Sequence, residues 1–182
     1  AAIGNATRNG FLVREGDALE RLSCVSHLTF DKTGTLTCGA PRVAAVRSFL
    51  PELPEQELYR YAACAELRSE HPLGKAIVRC YRKDSVRELP QPEQFRMIPG
   101  RGVRAVVQGK ELLAGNLELF RENGVELSDE ARRAAERYQE EGCSVIFIGM
   151  DRHAAGLIAL SDTLRENAVA TIREVRDAGV VP

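Results

Sequence analysis

Apolar side chains recur at two different spacings along the chain, which predicts a mixture of strands and helices. Segments of strand length that contain short apolar runs or alternating apolar residues predict strands over residues 25–31, 42–49, 95–98, 103–107, 110–114, 144–149 and 154–160. Apolar positions three and four residues apart predict helices over residues 18–22, 54–65, 72–82, 117–123, 128–141 and 163–178. Gln108-Gly109 and Asp151-Arg152 separate neighbouring strands and so predict two antiparallel hairpins.

The two ends of the chain differ from its middle in the order of these elements. Residues 1–37 and 156–182 contain single strands next to helices, whereas residues 38–155 contain paired strands with helices between them. We therefore expect an α/β chain of the α+β kind. In it, an antiparallel-sheet domain of residues 38–155 is inserted into a second domain that both ends build together.

Composition supports a folded globular protein and excludes several classes. Of the 182 residues, 44% are hydrophobic and 28% are charged, which are ordinary values. The net charge of −1, without a long basic run, argues against nucleic acid as the main partner. The five cysteines form no Cys-x-x-Cys pair, so their spacing gives no zinc site, and their odd number argues against a closed disulfide framework.

Residues 31–37, Asp-Lys-Thr-Gly-Thr-Leu-Thr, are the most distinctive string in the chain. They follow the apolar run 28–30, so we expect Asp31 at the carboxyl end of a buried strand, where α/β folds place their chemistry. A carboxylate can attack a phosphoryl group there when Mg²⁺ offsets its charge. Thr33 can offer a backbone carbonyl to the metal, and Thr35 with the turn amides can bind phosphate oxygens.

This string resembles the phosphorylation motif of the P-type ATPases, and further motifs indicate the heavy-metal-transporting branch of that family. Residues 69–73, Ser-Glu-His-Pro-Leu, resemble the motif that distinguishes the branch, and residues 100–102 are similar to its Gly-x-Gly. Residues 162–165, Asp-Thr-Leu-Arg, resemble the Asp-x-x-Arg of the phosphorylation domain. The resemblance covers essentially the whole chain.

The resemblance implies roles for individual residues. Asp31 would accept the γ-phosphate of ATP, and with Thr33 it would hold Mg²⁺. The residues that would support the phosphate and Mg²⁺ site are Lys32, Thr33, Thr35 and Asp162. The residues that would bind ATP are Glu66, His71, Gly100, Gly102 and Asn116. The inserted domain would then be a nucleotide-binding domain, and the outer one a truncated haloacid-dehalogenase-like phosphorylation domain.

The resemblance also implies partners beyond these residues. They are the transmembrane helices and actuator domain of the same polypeptide, a later phosphate-binding lysine, and a Gly-Asp-Gly-x-Asn-Asp segment that completes the Mg²⁺ site. The chain begins Ala-Ala-Ile, and no apolar run approaches the roughly 20 residues that span a bilayer. We therefore expect a monomeric fragment from the cytoplasmic face of a membrane protein, which binds ATP but forms a phosphoenzyme inefficiently.

Two other functions remain open on the sequence. A free-standing phosphatase of the same superfamily would carry a second aspartate two residues after the nucleophile as its general acid, but Thr33 stands at that position. A nucleotide-binding regulatory module without chemistry is the other alternative. Taken singly, His71 is more typical of a helix start than of a ligand, the Gly-x-Gly is more typical of a loop, and Glu66 and Asn116 are typical helix and turn residues.

Overall fold

The computed structural model describes residues 10, 12, 13, 15 and 17–182, except for the side chains of Lys32 and Thr33. Contacts divide the chain into two compact units. The outer unit comprises Ala1–Cys38 and Leu164–Pro182, and the central unit comprises Gly39–Thr163. No helix in the described part of the chain is long and apolar enough to cross a membrane.

The central unit holds all six strands of one sheet. They are β1 (Arg42–Ser48), β2 (Gln94–Ile98), β3 (Gly102–Val107), β4 (Lys110–Gly115), β5 (Ser144–Met150) and β6 (His153–Ser161). Helix α1 (Asp17–Ser23) belongs to the outer unit, and the central unit contributes α2 (Glu55–Ala65), α3 (Pro72–Asp84), α4 (Leu117–Glu122) and α5 (Asp129–Glu140). The ends of all these elements agree with the sequence-based prediction to within two residues.

The sheet has the order β1-β6-β5-β4-β3-β2, and every neighbouring pair is antiparallel. Both predicted hairpins are confirmed, with two-residue loops after Val107 and Met150. Both central residues of each loop have positive φ, at 52° and 75° for Gln108 and Gly109. This is the turn geometry whose twist matches that of the flanking strands.

Helices cover both faces of the sheet because neighbouring residues on a strand point in opposite directions. Leu112 faces the core under α2 and α3, whereas Leu113 faces the core under α4 and α5. In β5, Ile146 and Ile148 join the first core and Phe147 joins the second. The central strands therefore read as continuous apolar runs, since neither of their faces meets water.

The outer unit contains α1, a π-helical turn (Lys32–Leu36) and α6 (Ala168–Asp177). The predicted strand over residues 25–31 is wrong, because only His27 pairs there, in a parallel bridge to Val181. An apolar segment forms a strand only where another segment of the chain pairs with its backbone N–H and C=O groups over several residues. For residues 25–31, that pairing is limited to the single bridge.

The prediction that the last helix begins at residue 163 is also wrong. Leu164 forms an antiparallel bridge with Thr37, and the Arg165 N–H donates to the Leu36 carbonyl at 2.9 Å. These pairings hold the backbone outside a helix, so α6 begins only at Ala168.

The boundary between the units differs from the predicted one at residues 155 and 156. That point falls inside β6, which pairs along its length with β1 on one side and β5 on the other. The whole strand lies in the central unit, which extends to Thr163. The assignment of the units to a nucleotide-binding and a phosphorylation domain stays a prediction.

Gly156 in β6 offers a test of this packing. A Cβ at Gly156 would lie 2.2 Å from the Arg47 carbonyl oxygen and 2.3 Å from Leu58 Cδ2. We expect Gly156→Ala to lower the free energy of unfolding by roughly 1–3 kcal/mol through overpacking, measured by urea denaturation. The matched control is Val86→Ala in an exposed loop, which should change it by less than about 0.5 kcal/mol. Equal effects of the two variants would contradict the close contact between β6 and its neighbours.

Candidate functional site

A cavity of about 270 Å³ opens in the central unit, and four separate parts of the chain form it. Its walls come from the segment between α2 and α3, the turn between β2 and β3, the end of β4, and the start of β5. The lining residues are Glu66, Ser69, His71, Leu73, Met97, Ile98, Pro99, Gly100, Arg101, Gly102, Val103, Ala114, Gly115, Asn116, Val145 and Ile146. All five residues predicted to bind ATP are among them.

Glu66 follows the last residue of α2 and turns its side chain inward. It is only 4% exposed, and its Oε2 has no hydrogen-bond partner in the described protein. Gly74 in α3 makes room for the carboxyl, because a Cβ there would lie 2.2 Å from Oε2. A buried oxygen without a donor disfavours the charged form.

Burial raises the pKa of Glu66 to about 7, against an opposing hydrogen bond from the Ser69 side chain. Ser69 is itself buried, and its Oγ accepts the His71 N–H at 3.3 Å. The neutral and charged forms of Glu66 therefore exchange near neutral pH. A carboxyl with this property, in a cavity, is the kind of group that binding and catalytic sites contain.

His71 caps the amino terminus of α3. Its Nδ1 accepts the Leu73 N–H at 3.2 Å, and Pro72 occupies the first helical turn, where its missing N–H costs nothing. Because Nδ1 is an acceptor, the neutral ring carries its proton on Nε2. His71 thus both starts the helix and lines the cavity. The cap holds its ring at the cavity.

Asn116 joins two walls of the cavity. Its Oδ1 accepts the Leu119 N–H at 3.1 Å and caps α4, while its Nδ2 donates to the Gly100 carbonyl at 3.0 Å. Gly102 has a further reason to lack a side chain: a Cβ there would lie 2.1 Å from the Ala114 carbonyl oxygen. Close approach of β3 to β4 therefore requires this glycine, independently of any ligand.

The apolar walls of the cavity are what the sequence reasoning missed. Leu73, Val103 and Ile146 line it, as do Met97 and Val145. In the sequence the valines and isoleucine look like ordinary strand residues, and Leu73 looks like the apolar face of a helix. Leu73 is the last residue of the Ser-Glu-His-Pro-Leu string, which was the signal available for it.

A second cavity, of about 430 Å³, is lined by Arg104, Glu111 and Asp151 among others. These three residues already bond one another. Arg104 pairs with Glu111 at 3.0 Å, and Asp151 Oδ1 accepts the Glu111 N–H at 3.0 Å. The smaller cavity, with its unpartnered carboxyl oxygen, is therefore the better candidate for a binding site.

In the outer unit, the Asp31 side chain is exposed and the chain turns directly after it. Gly34 has a φ of 83°, which favours glycine, and its N–H donates to Thr37 Oγ1 at 3.1 Å. Arg165 donates to the Gly34 carbonyl at 2.9 Å and to the Thr35 carbonyl at 3.0 Å. Arg165 therefore fixes the turn after Asp31, a role that the sequence reasoning did not assign to it.

Asp162 lies in the central unit and has local partners. Its carboxylate accepts the N–H groups of Gly39 and Ala40, each at 3.1 Å. The side chains of Lys32 and Thr33 lie outside the described part of the chain, and Thr35 is exposed. Where side chains are described, no group of three or more His, Cys, Asp or Glu residues lies together as a metal site. The predicted phosphate and Mg²⁺ roles stay predictions.

Comparison with known proteins gives the family. Residues 25–182 match the haloacid dehalogenase-like hydrolases. The chain is 31% identical to the solved N-domain of HMA6, a copper-transporting P-type ATPase. The match covers 67% of this chain and 99% of that domain, with a TM-score of 0.57. The chain belongs to the heavy-metal P-type ATPases, within the haloacid dehalogenase-like hydrolases.

Other heavy-metal P-type ATPases align along nearly the whole chain. It is 34% identical to a solved zinc-transporting PIB-type ATPase, with a TM-score of 0.67 over 98% of this chain and 28% of that one. It is 38% identical to the probable copper-exporting P-type ATPase of Archaeoglobus fulgidus, over 98% of this chain and 21% of the relative. The chain thus spans about a fifth of that relative's length. As a class, P-type ATPase catalytic domains bind nucleotide and use Mg²⁺.

The raised pKa of Glu66 predicts how stability depends on pH. Since burial lifts the pKa from its ordinary value of 4.5 to about 7, the folded state holds a proton over this range that the unfolded state releases. The carboxyl therefore stabilises the fold fully below pH 4.5, and this contribution is lost as pH rises to 7. We expect the free energy of unfolding of Glu66→Gln, minus that of the wild type, to increase by on the order of 3 kcal/mol at most between these limits.

Urea denaturation of both proteins at several pH values measures this difference. The comparison cancels the titration of every group that the two proteins share. A difference that stays constant with pH, or that decreases as pH rises, would contradict the assignment of a raised pKa to Glu66.

Proposed function

We propose that the central unit is the nucleotide-binding domain of a heavy-metal P-type ATPase and binds ATP in the 270 Å³ cavity. The observation that supports this is the convergence of Glu66, His71, Gly100, Gly102 and Asn116. The sequence distributes these residues over 51 positions, from 66 to 116, and all of them line one cavity.

The chemistry of the cavity suits the base and sugar of a nucleotide. Leu73, Val103 and Ile146 give it apolar walls, and a few polar groups at defined positions fix orientation, as in most small-ligand sites. Its volume of about 270 Å³ lies just below the roughly 300–1,000 Å³ typical of such pockets. The triphosphate would therefore extend outward, past Arg101, which lines the cavity and pairs with Glu122 at 3.1 Å.

In the complete protein, a carboxylate oxygen of Asp31 attacks the γ-phosphorus of ATP. The bond from that phosphorus to the bridging oxygen breaks, ADP leaves, and an aspartyl phosphate remains for water to hydrolyse. Arg165 and Gly34 hold the turn that presents Asp31. Mg²⁺ would offset the phosphate charge, held by the Asp31 carboxylate and the Thr33 carbonyl, which are oxygen donors of the kind that this ion prefers.

The coupled process in the complete protein is the transport of a heavy or transition metal cation across a membrane. We place these residues on the cytoplasmic face, with transmembrane helices and an actuator domain of the same polypeptide as partners. The proposal rests on membership of the family and on the length of its relatives, of which this chain spans about a fifth.

ATP titration tests the proposed pocket through His71. We expect His71→Gln to weaken ATP binding at least about tenfold, equivalent to 1.4 kcal/mol, because the ring that the α3 cap holds at the cavity is lost. Isothermal titration calorimetry measures the affinity, and NMR shifts should localise at His71, Gly100 and Gly102. The matched control is His153→Gln at the exposed first residue of β6, which should leave the affinity unchanged. Equal affinities for the two variants would contradict the assignment of the pocket.

A phosphatase of the same superfamily is the alternative, and Thr33 argues against it. Without a carboxylic acid at this position, protonation of the leaving group and hydrolysis of the acyl phosphate are slow. We expect p-nitrophenyl phosphate to be hydrolysed no faster by the wild type with Mg²⁺ than by Asp31→Asn, as followed by absorbance of the released phenolate. Turnover that depends on Asp31 would favour the phosphatase instead.

A further inference from the structure

The Glu66 carboxyl lines the cavity, and no charged group in the described part of the chain shifts its pKa toward the ionised form. The residue is 4% exposed, and its Oε2 has no hydrogen-bond partner within the described protein. Gly74 lies against Oε2 on the α3 side, and Ser69 supplies the hydrogen bond that acts on the carboxyl. Burial outweighs that hydrogen bond, so an ionised Glu66 would gain little in return for its lost hydration.

The other ionisable groups of the cavity lie on two elements. The α2–α3 segment contributes His71, and the β2–β3 turn contributes Arg101, which pairs with Glu122. The lining residues from β3, β4 and β5 are apolar or glycine. Burial has the larger effect on the pKa of Glu66 and raises it, while the Ser69 hydrogen bond lowers it. No charged neighbour contributes to the shift.

We propose that Glu66 contacts the nucleotide base as a neutral carboxylic acid, so that the affinity for ATP falls as pH rises through its ionisation. This rests on the proposed function of the cavity as an ATP site. It adds the protonation state in which Glu66 acts and the base preference that this state creates. Bound base would shield the carboxyl further from water, which again favours the neutral form.

The hydrogen-bonding chemistry explains the base preference. A neutral carboxyl offers one O–H donor beside one C=O acceptor, whereas a carboxylate offers acceptors alone. Adenine carries its N6 amino donor beside a ring-nitrogen acceptor, which complements the neutral acid. Guanine offers an N1–H beside an N2 amino group, two donors that complement the carboxylate. Glu66 should therefore favour ATP over GTP most strongly at low pH.

Glu66→Gln separates this idea from a charge-based role. The glutamine amide keeps a donor beside an acceptor at nearly the same size, so it reproduces the neutral acid at every pH. We would measure the dissociation constant for ATP from pH 6 to 9 in the wild type and the variant, and take the ratio at each pH. The ratio cancels every pH-dependent contribution that the two proteins share, including that of the ATP phosphates.

We expect the two proteins to bind ATP within about threefold of each other at pH 6. Above the ionisation of Glu66, the wild-type dissociation constant should rise relative to the variant by up to about tenfold per pH unit. The ATP-over-GTP preference of the wild type should fall over the same range, and that of the variant should stay constant. Glu88→Gln, in the exposed loop after α3, is the matched control and should follow the wild type.

Carbon-13 NMR of the Glu66 carboxyl gives a readout independent of affinity. If the neutral form binds, ATP must move the titration midpoint to higher pH, because binding and protonation are linked reciprocally. A midpoint that moves to lower pH, or a glutamine variant that binds much more weakly than the wild type at pH 6, would overturn the inference while leaving ATP binding intact. Absence of ATP binding by both proteins at every pH would overturn the proposed function as well.

Discussion

The alternation of side chains across one antiparallel sheet is the constraint on which the central unit depends. Each strand residue must choose one of two faces, and β4, β5 and β6 have buried residues on both. Leu112 and Leu113 are neighbours in sequence but belong to different cores. A shift of one residue in the register would exchange the two cores, so the hairpin turns that set the register also determine where the cavity walls lie.

The candidate site lies where the ends of several strands meet the starts of two helices. Helix α3 begins beside the cavity, and its cap fixes His71 there, while the Asn116 cap of α4 ties the β2–β3 turn to the end of β4. Each cap satisfies backbone groups that a helix end would otherwise leave unpaired. The same two side chains thus stabilise the helix ends and line the cavity. Replacing either one should affect both the stability of the fold and the shape of the cavity.

The cavity contains an energetic conflict at Glu66. Burial without a cation works against the charged carboxylate, and Gly74 is the residue whose missing Cβ lets the carboxyl occupy this place. A fold optimised for stability alone would place an apolar side chain there. Buried polar groups that remain incompletely satisfied are characteristic of sites where a ligand completes the bonding.

The sequence by itself determined the secondary structure of the central unit, the two hairpins, and the five residues that converge on the cavity. It did so because periodicity, turn residues and helix caps are local signals, and because the heavy-metal ATPase motifs are distinctive. Only the tertiary structure decided that residues 25–31 pair at His27 alone, that Leu164 and Arg165 pair with the turn after Asp31, and that β6 belongs wholly to the sheet. Only the tertiary structure, likewise, placed Gly74 against Glu66 and enclosed its carboxyl. Strand pairing and burial depend on partners distant in the chain, and no local pattern of apolar residues specifies which partner arrives.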